Sequence, residues 1–209
     1  MPTSVFLIRH GAYNSRLSPE GEAASDLGLS DLGRQQTLAL HNRLARSGEM
    51  RPDVLFCSTL PRARETAELI GPAVGLMPVA IPELCEWESG NAALGIDVFM
   101  ERWRALPTGQ RRDHRFYPGC ETAAEFTERV QSKLANLLRD FEGQTIALVV
   151  HGGVIEAAFA YFLGVGSRPF EGGYPAAAYT SITLWRRSSE QDEWVQEFAN
   201  DTHHLNSAV

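Results

Sequence analysis

The sequence predicts an α/β fold with a mostly parallel central sheet flanked by helices, and three features carry that expectation. Two short runs, Val5-Phe6-Leu7-Ile8 and Thr145-Ile146-Ala147-Leu148-Val149-Val150, are apolar without alternation, as strands buried on both faces must be. Helical stretches with recognisable caps lie between the strand-like runs. Both apolar runs end in a histidine followed by glycine, at Arg9-His10-Gly11 and at His151-Gly152-Gly153. In open α/β sheets ligands bind beyond the carboxyl ends of the strands, so the two histidines mark where a site should lie.

The chain has 209 residues, 44% of them hydrophobic and 22% charged, which suits one domain over 1–209 with an excursion at about residues 88–120. A formal net charge of -7 and a pI near 5.4 argue against nucleic acid or a membrane surface as partner. A small anionic ligand remains compatible, because a local arginine cluster can outweigh a mildly acidic whole. Met1-Pro2-Thr3-Ser4 has no basic or long apolar leader and no segment has the length of a membrane span, so a cytoplasmic location is expected. Cys57, Cys85 and Cys120 are widely spaced, which suggests reduced thiols rather than disulfides or a zinc knuckle. His203 and His204 would point apart in an extended chain, so no metal site is expected there. Homo-oligomerisation is left open.

Taken in order, the first strand is followed by Asn14 to Leu29, a stretch without apolar period that reads as a long loop at the mouth of the site. Ser30 is an N-cap, with Asp31 in the first turn, for a helix that carries Leu40 and Leu44 and ends near Gly48. Pro52 introduces a strand over Asp53 to Cys57. Ser58 to Ala67 then reads as a strand end, a hydroxyl cap and a helix with Pro61 in its first turn. Ala63, Ala67 and Ile70 make its packing stripe, leaving Arg62 at the N-terminal end, where free N–H groups already favour an anion.

A third strand is expected over Met77 to Ile81. The loop after it offers three carboxylates, Glu83, Glu86 and Glu88. A glutamate beside apolar Leu84 and Trp87 suits a proton donor, but the residues themselves leave open which one acts. Ala92 to Gly119 is irregular, with a helix around Val98 to Leu106 and a charged turn at Arg111, Arg112 and Arg115, either a solvated cluster or a rim for a second anionic group. Thr122 and Glu125 form a capping box for the clearest helix, with Phe126, Val130, Leu134, Leu137, Leu138 and Phe141 on one face and Gly143 as terminator. A helix from Val154 to Leu163 follows the second His-Gly pair. The tail, Tyr179 to Trp185 and Trp194 to Phe198, reads as a hairpin.

A lone histidine at a strand end is ordinarily structural. Here two histidines, with Arg9 and Arg62, fall on strand or helix boundaries along one edge of one sheet. Two guanidinium groups and two imidazoles around the amide-rich start of a helix suit a tetrahedral oxyanion.

Five segments in order resemble the histidine phosphatase superfamily, the phosphoglycerate mutase-like proteins. They are Arg9-His10-Gly11, Leu29 to Gln36, Cys57 to Ala67, Leu84-Cys85-Glu86 and Val150-His151-Gly152-Gly153. The resemblance implies a three-layer sandwich, with the 88–120 insertion lying over the active site. It also implies His10 as nucleophile, Arg9, Arg62 and His151 as phosphoryl ligands, Glu86 as proton donor, and Gly11, Asn14 and Gly152 as further phosphate contacts. Gly152 excludes the family version with aspartate directly after the second histidine, which points back to Glu86. Three departures stand out: Ala12-Tyr13-Asn14 brings the asparagine early, Glu86-Trp87-Glu88-Ser89 lacks the Arg-His-Tyr-Gly continuation of the glycolytic mutases, and Tyr179 stands where many members have asparagine.

These features lead to the expectation of a phosphatase that hydrolyses a small phosphorylated metabolite through a phosphohistidine, with no metal and no cofactor. The alternatives are a cofactor-dependent mutase and a non-catalytic phospho-ligand binding module. The binding module would need the arginines but not both nucleophile and acid.

Overall fold

The computed structural model describes residues 1–16, 25–88, 96–166 and 175–206. The chain begins with β1 (Thr3–Arg9), two antiparallel strands β2 (Tyr13–Arg16) and β3 (Ser25–Leu29), helix α1 (Asp31–Ser47), β4 (Val54–Ser58), α2 (Pro61–Val74) and β5 (Val79–Ile81). A 3-10 turn at Pro82–Leu84 comes before α3 (Ile96–Ala105) and the short α4 (Thr108–Arg111). Then follow α5 (Ala123–Asp140), β6 (Thr145–Val150), α6 (Gly152–Phe162), β7 (Ile182–Arg187), β8 (Val195–Asp201) and a 3-10 turn at His203–Leu205.

The main sheet has the order β5-β4-β6-β1-β7-β8. Its first four strands run parallel, while β7 and β8 are antiparallel additions at one edge. The two runs without alternation, β1 and β6, are neighbours in its middle, and each is covered on both faces. Val5 and Leu7 of β1, with Ile146, Leu148 and Val150 of β6, pack against Phe126, Val130 and Leu134 of α5 and Val154 and Ile155 of α6. Phe6 and Ile8, with Ala147 and Val149, pack against Leu40 and Leu44 of α1 and Ala63, Ala67 and Ile70 of α2. Successive side chains of a strand point to opposite faces, so two covered faces demand an unbroken apolar run. The result is the expected α/β/α sandwich.

Local signals set the helix ends. Ser30 accepts from Gly33 N–H and Gly48 closes α1 in the left-handed region, φ 59°. Thr122 and Glu125 form both bonds of the capping box on α5. By contrast α2 has no side-chain bond from its N-cap, Leu60, and starts on Pro61.

Several expectations change. The ends of the expected loop Asn14 to Leu29 are strands, Tyr13 pairing with Leu29 and Ser15 with Asp26; residues 17–24 lie outside the described residues. A two-stranded pair gains little by itself. This one leans on α2, where Glu65 Oε2 accepts from Leu29 N–H at 3.3 Å, a partner that local periodicity does not reveal. The third strand starts at Val79, the first residue after Pro78 that pairs with β4. Helix α6 starts at Gly152 rather than Val154, with His151 as its N-cap. His203 and His204 lie in a 3-10 turn rather than an extended chain, and His204 is buried against Thr180. Among the described residues no helix is long and apolar enough to cross a membrane.

Candidate active site

In the β1–β6 register Arg9 lies beside Val150, and His10 N–H donates to the Val150 carbonyl at 3.0 Å. The residues that follow the two strands, His10 and His151, are therefore neighbours, with ring centroids 5.0 Å apart.

His10 is 2% exposed. Its Nε2 lies 3.1 Å from Arg62 Nε, and its Nδ1 lies 2.7 Å from the Gly11 carbonyl oxygen. A guanidinium nitrogen only donates, so Nε2 carries the lone pair and Nδ1 carries the proton it gives to Gly11. Burial, Arg62 and then Arg9 push the imidazole down to about 3, against the opposing pull of the Gly11 bond. His10 is thus a neutral imidazole whose free nitrogen faces a cation.

Arg62, in the first turn of α2, is 8% exposed. Its Nη1 donates to Asp26 Oδ2 at 2.7 Å and its guanidinium lies 4.4 Å from the centre of the Tyr13 ring. Arg9, ending β1, donates through Nη1 to the Ala177 carbonyl and stacks at 4.3 Å on Tyr179. Its Nε and both ring nitrogens of the fully buried His151 have no hydrogen-bond partner among the described residues. Burial first, then His10, Arg62 and Arg9, hold His151 well below the usual histidine range, so it too is neutral. Buried donors left open around a neutral nucleophilic nitrogen fit a ligand rich in acceptor oxygens.

Of the three candidate carboxylates, only Glu86 reaches this place. Its Oε2 accepts from Gly153 N–H at 3.2 Å and its Oε1 from Trp87 N–H at 3.0 Å, so it rests on the first turn of α6, next to His151. The contact requires glycine: a Cβ at Gly153 would stand 2.4 Å from Glu86 Oε1. Glu83 instead faces Lys133 at 3.7 Å, and Glu88 is exposed.

The loop before Glu86 is gripped by Arg129 of α5. Its Nη1 donates to the Glu83 and Cys85 carbonyls at 2.7 and 3.2 Å, while Nε and Nη2 bind both oxygens of Glu121 at 2.6 and 2.7 Å. Trp87 closes the frame by donating Nε1–H to the Glu121 carbonyl at 3.0 Å.

The remaining expected residues divide. Gly152 opens α6 with an ordinary 3.8 Å approach to Arg9 Cζ for any added Cβ. The Gly11 amide is occupied by Thr66 Oγ1 at 3.1 Å, and its carbonyl orients His10. Asn14 is exposed on β2, and no hydrogen bond joins it to Arg9, His10, Arg62 or His151. Arg111 binds the carbonyls of Leu106 and Arg104, and Arg115 binds Glu125 and the Cys120 carbonyl, so both have local partners.

Sequence reasoning missed Asp26, Tyr13 and Arg129 as neighbours of the cluster. Asp26 sits in a stretch without period, and Arg129 lies on the polar side of an amphipathic helix, where arginine is ordinary. Thr180 was also unsuspected: its N–H donates to the Arg9 and His10 carbonyls at 3.0 and 3.3 Å from a backbone with φ 58°. Positive φ in a β-branched residue is strained, and this one lies directly behind His10.

Comparisons with known proteins agree with the fold. A metal-independent phosphoserine phosphatase of Arabidopsis thaliana is 26% identical over 213 residues, covering 98% of this chain and 84% of that protein. A probable phosphoglycerate mutase GpmB of Escherichia fergusonii is 29% identical over 217 residues, covering 97% and 95%. Among solved structures, a mycobacterial glucosyl-3-phosphoglycerate phosphatase in complex with VO3 superposes with a TM-score of 0.71 at 25% identity, covering 94% of this chain and 98% of that one. The sequence profile of the histidine phosphatase superfamily (branch 1) matches residues 5–202, and the chain belongs to that family.

Proposed function

We propose that the protein hydrolyses small phosphomonoesters through a phosphohistidine on His10, without a metal ion. The reaction class, phosphoric monoester hydrolysis, is that of its family and of its phosphatase-named relatives. One observation carries the finer reading: the unprotonated Nε2 of a neutral His10 lies among Arg62 Nε, Arg9 Nε and the His151 ring, all of them groups able to hold phosphoryl oxygens.

In the first step the Nε2 lone pair forms a P–N bond as the ester P–O bond breaks, and Glu86 gives its proton to the departing alkoxide. Arg62 Nε–H, released from His10, turns to a phosphoryl oxygen. Arg9, His151 and the Gly152 amide at the start of α6 hold the others. In the second step water attacks phosphorus, Glu86 takes its proton, the P–N bond breaks and its electron pair returns to Nε2. Two fixed guanidinium groups supply the positive charge that other phosphoryl-transfer sites draw from a cation. Splitting the reaction lets one acid/base group serve both steps.

The segment 88–120 is proposed as an insertion over the site. Trp87 packs edge-on against Phe99 and Trp103 of α3, so this segment bears on the residue next to the acid. All three cysteines are free, which fits a reducing compartment such as the cytoplasm.

The test is hydrolysis of p-nitrophenyl phosphate and a panel of phosphorylated metabolites in EDTA, scoring both released phosphate and isomerised product. Release of phosphate, an acid-labile phosphoenzyme and loss of both in His10→Ala are expected. Persistent turnover in that variant overturns the nucleophile. Isomerisation without release favours the mutase, the activity named for the Escherichia fergusonii relative.

A further inference from the structure

Asp26 is not among the residues that the phosphatase reading uses, yet it holds one of them. Its Oδ2 lies 2.7 Å from Arg62 Nη1 and 3.4 Å from the Arg62 backbone N–H, and both side chains are only 10% exposed. The carboxylate is itself fixed, since Oδ1 accepts from Gly28 N–H at 2.9 Å. Gly28, at φ 81°, lies so close to α2 that a Cβ there would stand 1.9 Å from Glu65 Oε1. The end of β3 is thus pinned to the helix that carries Arg62, and it supplies the N-terminal cap that Leu60 cannot.

The guanidinium is held on three sides: Asp26 at Nη1, His10 at Nε and the Tyr13 ring on one face. We propose, resting on the phosphatase reading above, that Asp26 is a positioning residue. It fixes the plane of Arg62 so that Nε–H passes from His10 Nε2 to a phosphoryl oxygen as the P–N bond forms. A carboxylate on a phosphate-binding arginine also weakens ground-state anion affinity, because it repels the anion and offsets part of the arginine charge. Asp26 therefore favours turnover and phosphate release at the expense of tight binding.

That combination separates positioning from a merely structural role. Asp26→Asn keeps an acceptor for Gly28 N–H and removes the charge. It is expected to lower kcat by about 10- to 100-fold, the scale of a small misplacement, while inorganic phosphate binds several-fold more tightly. Asp26→Glu should return phosphate affinity toward that of the unmodified protein. Arg62→Lys has no Nη1 to hold, so adding Asp26→Asn to it should cost less than about threefold more, against multiplicative losses for independent sites.

The readouts are steady-state kinetics with p-nitrophenyl phosphate and calorimetric binding of inorganic phosphate to each full-length variant. Unchanged kcat in Asp26→Asn, weaker phosphate binding with the lower kcat, or full additivity with Arg62→Lys overturns the proposal. If the unmodified protein binds phosphate but hydrolyses no ester, the phosphatase reading fails by itself, and the phosphate affinities still decide whether Asp26 opposes the anion.

Discussion

Arg62 Nε and His10 Nε2, 3.1 Å apart, join a permanent donor to the one lone pair that the proposed reaction requires. The bond fixes the tautomer of the imidazole and, after burial, helps to keep it unprotonated. In the proposed reaction it is exchanged for a phosphoryl oxygen before P–N bonding is complete.

Because burial, Arg62 and Arg9 push His10 down to about 3, its protonation should not limit activity near neutrality. An acid limb of kcat/KM near 6.5, the ordinary histidine value, is not expected from His10. An imidazole titration by NMR should show His10 unprotonated down to at least pH 5. Arg62→Gln should move its midpoint upward, though short of 6.5, since burial is the larger cause.

The same shifts set a direction for stability. His10 at about 3, His204 at about 4 and His151 well below the usual range stay neutral in the fold, whereas the unfolded chain binds protons at these positions below about 6.5. The unfolded state then holds more protons, so folding free energy is lost as pH falls from about 6.5 toward the folded values. Urea unfolding at pH 7.5 and pH 5 should show the loss, and His204→Asn should flatten the slope by up to about one proton. A stability independent of pH across this interval contradicts the burial of neutral histidines.

In kcat/KM, which reports the first step alone, Glu86→Gln should slow alkyl phosphates by about 100-fold or more while slowing p-nitrophenyl phosphate by less than about tenfold, since a good leaving group needs little protonation. Equal losses on both substrates would remove Glu86 from the acid role.

Gly153→Ala offers an independent route to the same signature. Its Cβ would stand 2.4 Å from Glu86 Oε1, so the carboxylate must move off α6. Alanine is the better helix former by about 1 kcal/mol, which limits any loss of melting temperature. The expected outcome is the selectivity of Glu86→Gln in a folded protein; normal rates on alkyl phosphates would show that Glu86 need not rest on this turn.

Much of this was legible locally. The unbroken apolar runs before His10 and His151 announce strands covered on both faces, and the Thr122–Glu125 box announces α5, because each signal lies within a few residues of its effect. The stretch Asn14 to Leu29 announced nothing, since β2 and β3 are supported by Glu65 from α2 rather than by their own period. Arg111 and Arg115 carried charge without address, and the carbonyls and carboxylate they bind became visible only in the folded chain.

By itself the sequence determined the layered sheet, the two histidines at strand ends along one edge and the arginines at such boundaries, because backbone periodicity and capping are short-range. The tertiary structure decided which glutamate rests on α6, which nitrogen of His10 carries the lone pair and that Asp26 holds Arg62. Those outcomes rest on contacts between segments tens of residues apart, where hydrogen-bond geometry and burial are set by packing and leave no period in the chain.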